Sequence, residues 1–185
     1  AVTAAGDVVS EGDAALRADM VRERFAATGI DGSGIKIGVI SEGFSSPDKV
    51  GDNLPSVTTP PTATLRQYSG NEGTAMLEIV HDLAPGASLY YCDPDTKVEM
   101  SDCVDWLVGE ECDVIVDDVF FPDTPFLSDG PLAQQISNAV DNGLVYVSAS
   151  QNLAQLHYQG EYYPSSDRAS FYGDYYGYSH DFSRG

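Results

Sequence analysis

The spacing of apolar residues near the start of the chain predicts a helix over residues 11–27. The apolar side chains recur every three to four positions, as on one face of a helix, at Ala15, Leu16, Met20, Val21 and Phe25. Ser10 directly precedes this pattern and is a residue type that caps a first helical turn. The chain is therefore expected to open with a helix.

A buried strand is predicted next, over residues 35–41, IKIGVIS. The segment is short, β-branched and nearly all apolar, which is typical of a strand covered on both faces. About twenty residues rich in Pro, Ser, Thr and Gly follow without any period, and they predict a long loop of functional or mobile character.

Three helix–strand pairs make up the middle of the chain. They are EGTAMLEIVHDLA with ASLYYC, MSDCVDWLVGEE with DVIVDDVFF, and GPLAQQISNAVDNG with LVYVSAS. Four buried strands that alternate with helices predict an α/β fold, a three-layer parallel sheet with helices on both faces. We expect residues 1–152 to form this domain, and residues 153–185, rich in Tyr, Asp and Gly, to form an irregular tail or the start of an insertion.

The charge of the chain restricts its partners. Its 185 residues carry 29 acidic and 9 basic side chains, a formal net charge of −20. Such a chain repels a phosphate backbone, so nucleic acid is excluded as a partner. No apolar run approaches the roughly 20 residues of a membrane span. The excess of acid, mostly Asp, is also typical of proteins that stay soluble in strong salt, and we expect a halophilic source.

The three cysteines, Cys92, Cys103 and Cys112, cannot form a closed disulfide framework, and no C-x-x-C spacing suggests zinc. Two interpretations stay open at this point. Cys92 at the end of a strand and Cys103 in the next helix are able to meet in a disulfide, or all three are small buried side chains.

Polar residues follow the predicted strands, where an open parallel sheet collects its ligands. These residues are Ser41, Glu42, Gly43, Asp93, Asp117, Asp118, Ser150, Gln151 and Asn152. Glu72 joins them because it begins a helix, where the positive end of the dipole favours its charged form.

A calcium site is the alternative use of the aspartates after the third long strand. Carboxylate oxygens of Asp117, Asp118, Asp123 and Asp129 suit a hard cation, but their spacing matches no ordered calcium loop. In so acidic a chain the same residues are more typical of a solvated face. We therefore expect no metal and no cofactor.

Three segments of the chain resemble the subtilisin-like serine peptidases in order and spacing. They are GIDGSGIKIGVISEGF, GNEGTAMLEIVHDLAPGASLYY, and CDVIVDDVFF followed by GPLAQQISNAVDNGLVYVSASQN. The resemblance covers roughly residues 11–152, and its most specific part is the Gly-Thr-Ala helix start that leads into LAPGASLY. It implies a subtilisin-like fold and hydrolysis of peptide bonds.

The resemblance also implies roles for individual residues. It places the oxyanion-hole asparagine at Asn152, after Gln151 where the family usually has Gly. Glu72 stands at the histidine position, and Ser41, followed by Glu42, stands at the aspartate position. This is similar in logic to the sedolisins, which pair a Glu base with an Asp and a Ser.

A glutamate can act as the base only if its pKa is raised, because its reference value near 4.3 makes it a weak proton acceptor. We expect Glu42 to be the neighbouring carboxylate that raises the pKa of Glu72. His81 lies nine residues beyond Glu72, on the opposite face of the helix, and His157 and His180 lie in the Tyr-rich tail. None of the three histidines is expected to serve the site.

These assignments give Glu72, Glu42 and Asn152 as catalytic residues. The resemblance further implies that the strand bearing Asp117, Asp118 and Val119 lines the substrate groove, since the family pairs that strand with the peptide backbone.

The family's nucleophile lies in a Gly-Thr-Ser segment, and none occurs in this sequence. We therefore expect the N-terminal part of a serine endopeptidase domain that acts on peptides or proteins and is inactive alone. The resemblance implies a secreted or cell-surface location, and an incomplete sheet is expected to self-associate through its edge. The alternative is a non-catalytic peptide-binding domain that has lost the triad.

Overall fold

The computed structural model describes residues 9–44, 54–61, 70–121, 124–125, 128–152, 160–171, 175–181 and 183. The chain divides into two compact units, Ala1–Ser150 and Gln151–Gly185. Each unit is described below by itself.

The first unit alternates helices and strands along the chain. Its helices are α1 (Glu11–Ala15), α2 (Ala18–Arg24), a short 3₁₀ turn (Ala26–Thr28), α3 (Glu72–Leu83), α4 (Lys97–Gly109) and α5 (Pro131–Asp141). Its strands are β1 (Lys36–Ile40), β2 (Val57–Thr58), β3 (Ser88–Cys92), β4 (Val114–Asp117) and β5 (Val145–Ser148).

These five strands form one parallel sheet in the order β2-β3-β1-β4-β5. Two core clusters lie against it. One contains Val39 and Leu77 of α3, and the other contains Ile40 and Leu107 of α4. Since neighbouring residues of a strand point to opposite faces, Val39 and Ile40 place the two helices on opposite sides of the sheet. The predicted three-layer α/β fold is therefore confirmed.

The predicted helix over residues 11–27 is wrong as a single element. It breaks at Leu16, and Arg17 adopts a left-handed backbone with φ 59° before α2 begins. Leu16 and Met20 stay 69% and 55% exposed, so apolar burial does not hold the segment in one straight helix. The predicted cap is confirmed, because the Ser10 side chain accepts a hydrogen bond from the Gly12 backbone at 3.2 Å.

Polar contacts hold the two short helices on the end of α3. The Ser10 backbone donates to Asp82 Oδ2 at 2.6 Å. Arg22 donates to the Leu83 carbonyl at 2.8 Å and forms an ion pair with the buried Asp13 at 2.7 Å. These directional contacts, rather than the apolar pattern, set the path of the first residues.

The structure contains one of the two cysteine arrangements that the sequence leaves open. Cys92, the last residue of β3, is joined by a disulfide to Cys103 of α4, with their Cα atoms 5.8 Å apart. Cys112 is a free, buried thiol in the same core cluster. The bridge ties the end of one strand to the helix that covers it.

β5 differs from the prediction of four buried strands. It is the last strand of the described sheet, and its Val145 and Val147 are 54% and 51% exposed. Self-association through this edge stays a prediction.

The second unit contains an antiparallel hairpin of β6 (Pro164–Phe171) and β7 (Tyr175–His180), which pairs Arg168 with Tyr178. The sequence predicts an irregular tail here, so this part of the prediction is corrected. Polar side-chain bonds cross the hairpin, among them Tyr162 Oη to the Tyr178 carbonyl at 2.6 Å. The strands are rich in Ser, Gly and Tyr, and their sequence therefore lacks the apolar alternation that marks a strand.

Candidate active site

A group of carboxylates lies where three neighbouring strands end. Glu42 follows β1, Asp93 follows β3, Asp117 is the last residue of β4 and Asp118 follows it. Because β1 lies between β3 and β4 in a parallel sheet, these ends meet at one edge. Glu72 is the first residue of α3.

Backbone hydrogen bonds attach both the start of α3 and the exit of β4 to the exit of β1. The Gly73 and Thr74 amides donate to the carbonyls of Glu42 and Gly43 at 3.0 and 3.3 Å. On the other side, the Asp118 amide donates to the Ile40 carbonyl at 3.3 Å. The segments that carry Glu72 and Asp118 are therefore both hydrogen-bonded to residues 40–43, the stretch that contains Glu42.

Tyr91 packs against the start of α3 and the exit of β1. Its ring is 1% exposed, and its hydroxyl donates to the Ser41 carbonyl at 2.6 Å. A Cβ atom added to Gly73 would lie 2.5 Å from Tyr91 Cε2. Only glycine lets the start of α3 approach the ring this closely. The sequence prediction missed Tyr91, although a tyrosine near the end of a buried strand is a signal for such a support.

Burial raises the pKa of Tyr91, and the charges of Asp93, Asp118 and Glu42 raise it further. The hydroxyl therefore stays protonated and remains a donor. Asp93 is itself engaged, since its Oδ2 accepts the Gly43 amide at 3.1 Å.

The pKa of Glu72 is raised by its acidic neighbours. Glu72 itself is exposed. The charge of Asp118 is the largest cause of its raised pKa, followed by partial desolvation, hydrogen bonding with the Asp118 carboxyl and the charge of Glu42. The direction is the one that a carboxylate base requires. Glu42, predicted to be the principal neighbour, has the smallest of these effects, and Asp118 has the largest.

The residues predicted to line the groove differ in exposure. Asp117 is 4% exposed and accepts a hydrogen bond from Ser148 Oγ at 3.0 Å. Burial raises the pKa of Asp117, while the hydroxyls of Tyr146 and Ser148 act in the opposite direction. Asp118 and Val119 are half-buried. A substrate-binding role for all three stays a prediction.

Asn152 is exposed and belongs to the second unit. Gln151, directly before it, has φ 66°, a left-handed backbone that glycine adopts at the lowest cost. This is the position where the resemblance implies a glycine. The role of Asn152 as the oxyanion donor stays a prediction.

The histidines lie elsewhere. His81 is 5% exposed near the end of α3, about 13.5 Å along the helix from Glu72 at 1.5 Å per residue. Burial lowers the pKa of His81. His180 accepts the Tyr163 amide at 3.1 Å within the hairpin, and His157 lies outside the described residues.

Within the described ranges, no three His, Cys, Asp or Glu side chains are grouped so as to hold a metal ion. Of the aspartates considered for calcium, Asp129 is exposed and Asp123 lies outside these ranges. None of the helices described is long and apolar enough to cross a membrane.

Comparison with known proteins adds evidence on the fold. No protein-family model matches the chain, and no curated protein matches it. Among solved structures, that of the prenylagaramide maturation protease PagA is similar, with a TM-score of 0.53 at 15% sequence identity. The match covers 71% of this chain and 50% of the PagA chain, so the chain spans about half the length of that protein. At this identity the likeness shows the fold alone, and the chain has a protease-like α/β fold.

Proposed function

We propose that this chain is part of a subtilisin-like serine endopeptidase in which Glu72 replaces the usual histidine as general base. One observation carries the proposal. Glu72, at the position that the resemblance assigns to the base, lies among carboxylates that raise its pKa. The protease-like fold of the chain supports the proposed enzyme class.

In the proposed reaction Glu72 accepts the proton of a serine hydroxyl as its oxygen attacks the peptide carbonyl carbon. Asn152 donates its side-chain amide to the oxyanion that forms on the carbonyl oxygen. Glu72 then gives the proton to the amine as the C–N bond breaks, and water repeats the sequence on the acyl-enzyme. The attacking serine is proposed to lie outside these 185 residues, because they contain no Gly-Thr-Ser segment.

The substrate is proposed to be an extended peptide that lies along the segment after β4, near Asp118 and Val119. Glu42 is retained as an acidic residue of the site, because it is exposed and its charge acts on Glu72. An exposed carboxylate here favours a substrate that carries positive charge nearby.

A secreted or cell-surface location is part of the proposal. The disulfide between Cys92 and Cys103 supports it, since such bridges persist in oxidising compartments.

The test is peptide hydrolysis by the longer protein that contains this chain, measured with Glu72→Gln. We expect the substitution to lower kcat/KM at least about 100-fold, the usual contribution of a general base. Glu23→Gln, the same change on the exposed face of α2, is the control and should leave the rate unchanged. Hydrolysis that survives Glu72→Gln, or its absence from the unaltered protein at every pH, would instead indicate the non-catalytic binding domain.

A further inference from the structure

We propose that Asp93 positions Glu72 by holding the bend at residues 42–43, which caps the start of α3. Asp93 is a positioning residue in this proposal and not a catalytic one, because it acts through hydrogen bonds of the backbone. The consequence for catalysis rests on the proposed function, whereas the contacts among Asp93, the bend and α3 do not.

The first turn of α3 is capped by another part of the chain. The first amides of any helix lack partners within the helix and are satisfied by acceptors from elsewhere. In α3 the Gly73 and Thr74 amides donate to the carbonyls of residues 42 and 43, at 3.0 and 3.3 Å. The 42–43 bend therefore fixes where α3 begins, and Glu72 is its first residue.

Asp93 holds this bend from the neighbouring strand. Its Oδ2 atom accepts a hydrogen bond from the Gly43 amide at 3.1 Å. The acceptor is a carboxylate, and hydrogen bonds to charged acceptors are roughly twice as strong as those between neutral groups. Gly43 has φ 83°, a left-handed conformation that glycine adopts at the lowest cost. The contact joins residues 50 positions apart and therefore depends on β3 lying beside β1.

The backbone that carries Asp93 is anchored on two sides. The preceding residue, Cys92, ends β3 and is joined by the disulfide to Cys103 of α4. The Cys92 carbonyl also accepts the Ser41 amide at 3.3 Å, one residue before the bend. A side chain on so fixed a backbone can impose its position on the bend. The end of β3 is thus linked to the start of α3 through the 42–43 bend.

The position of Glu72 matters because a general base has to lie within hydrogen-bond reach of the proton that it accepts. Glu72 is exposed, so packing of its own side chain does not hold it in place. Its placement depends instead on the backbone of the first turn of α3. Without the Asp93 contact we expect the bend to fluctuate, and the first turn of α3 to fray with it.

The experiment is amide hydrogen exchange of the 185-residue chain, followed by NMR. We expect Asp93→Ala to lower the protection of the Gly43, Gly73 and Thr74 amides about tenfold or more, the effect of losing one hydrogen bond to a charged group. These three residues are buried, so their exchange requires the structure to open locally. The amide of Val39, in the sheet interior, reports global stability and should change less.

Asp93→Asn separates the hydrogen bond from the charge. Asparagine also lacks the negative charge but keeps an acceptor oxygen, so protection should return toward that of the unaltered chain. Asp93→Ser, whose side chain is too short to span the contact, should behave like Asp93→Ala and serves if the alanine variant folds poorly. Asp141→Ala is the control, because Asp141 is exposed at the end of α5, which leads into β5 at the opposite edge of the sheet.

Protection that falls at Gly43 alone, or falls equally at Val39, would overturn the proposal, as would an asparagine variant that behaves like the alanine variant. In the longer protein, where hydrolysis occurs, Asp93→Ala should lower kcat up to about 100-fold with little change in KM, and Asp93→Asn should restore most of it. An unchanged kcat in Asp93→Ala would contradict the catalytic consequence. The expected exchange pattern in a longer protein without hydrolytic activity would retain the positioning contact and remove the proposed function.

Discussion

Individual side chains determine how closely the parts of the site can approach. Gly73, the second residue of α3, packs on the buried Tyr91 ring, which in turn holds the Ser41 carbonyl. The absence of a single Cβ atom therefore fixes the distance between Glu72 and the sheet.

Gly73→Ala is expected to destabilise the chain by about 1–3 kcal/mol, the usual cost of overpacking a rigid site. The ring is buried and its hydroxyl is hydrogen-bonded, so it cannot easily move away. Denaturant unfolding measures the change. Gly109→Ala at the end of α4 is the control, because nothing lies within 4 Å of its added Cβ. Equal effects of the two substitutions would contradict the packing argument.

Gln151→Gly is expected to stabilise the native state by about 0.5–1 kcal/mol, because a left-handed backbone disfavours a residue with a Cβ atom. Gln151 has φ 66°. Gln151→Ala is the matched control, since alanine keeps the Cβ atom and gains nothing. Denaturant unfolding of the unaltered chain and of the two variants measures the difference in stability. A glycine variant less stable than the alanine variant would show that the turn is not strained.

At this scale the sequence predicts part of the site. Glu72 and Glu42 follow from their places at a helix start and a strand end. The effect of Asp118 on the pKa of Glu72 does not follow, because it depends on β4 lying beside β1 in the sheet. Residues 72 and 118 are far apart in the chain, and no local sequence pattern predicts the order of the strands in the sheet.

The elements themselves were predictable where the apolar period is strong. α3 and β1 lie close to their predicted bounds, since their burial supplies the pattern that the sequence displays. The first helix and the tail hairpin were not, because Arg22 and Tyr162 stabilise them through hydrogen bonds to backbone carbonyls. Polar contacts of this kind leave no periodic trace in the sequence.

The link between β3 and α4 gives a prediction at the scale of elements. Reduction of Cys92–Cys103 is expected to cost about 2–3 kcal/mol, the chain-entropy value for a loop closed over a sequence separation of 11. Denaturant unfolding with and without reductant measures the loss. The loss should persist in Cys112→Ala, because Cys112 forms no disulfide. A chain whose stability is the same in reductant would contradict the structural role of the bridge.

The whole molecule is dominated by negative charge. A formal net charge of −20 opposes compaction, and the carboxylates at the site add to this repulsion locally. Salt shortens the screening distance from about 8 Å at physiological ionic strength to about 3 Å at 1 M.

The melting temperature is therefore expected to rise between about 0.1 and 1 M KCl, because screening relieves repulsion within the folded chain. Thermal unfolding followed by circular dichroism measures the rise. The same series at pH 4 is the control, since partial protonation of carboxylates should shrink the gain. A melting temperature that is flat or falls with salt would contradict this account and the expected halophilic source.

The central claim is that a carboxylate has taken over the proton-accepting role of a histidine at residue 72. The most direct test is the pH dependence of kcat/KM in the longer protein, compared between the native residue and Glu72→His. Because a base must be deprotonated, the rate rises with pH through the pKa of residue 72. The account predicts a rise in the acid range for Glu72 and a shift of this limb toward pH 6.5, the ordinary pKa of histidine, for Glu72→His. An acid limb that stays in place after the substitution would contradict it.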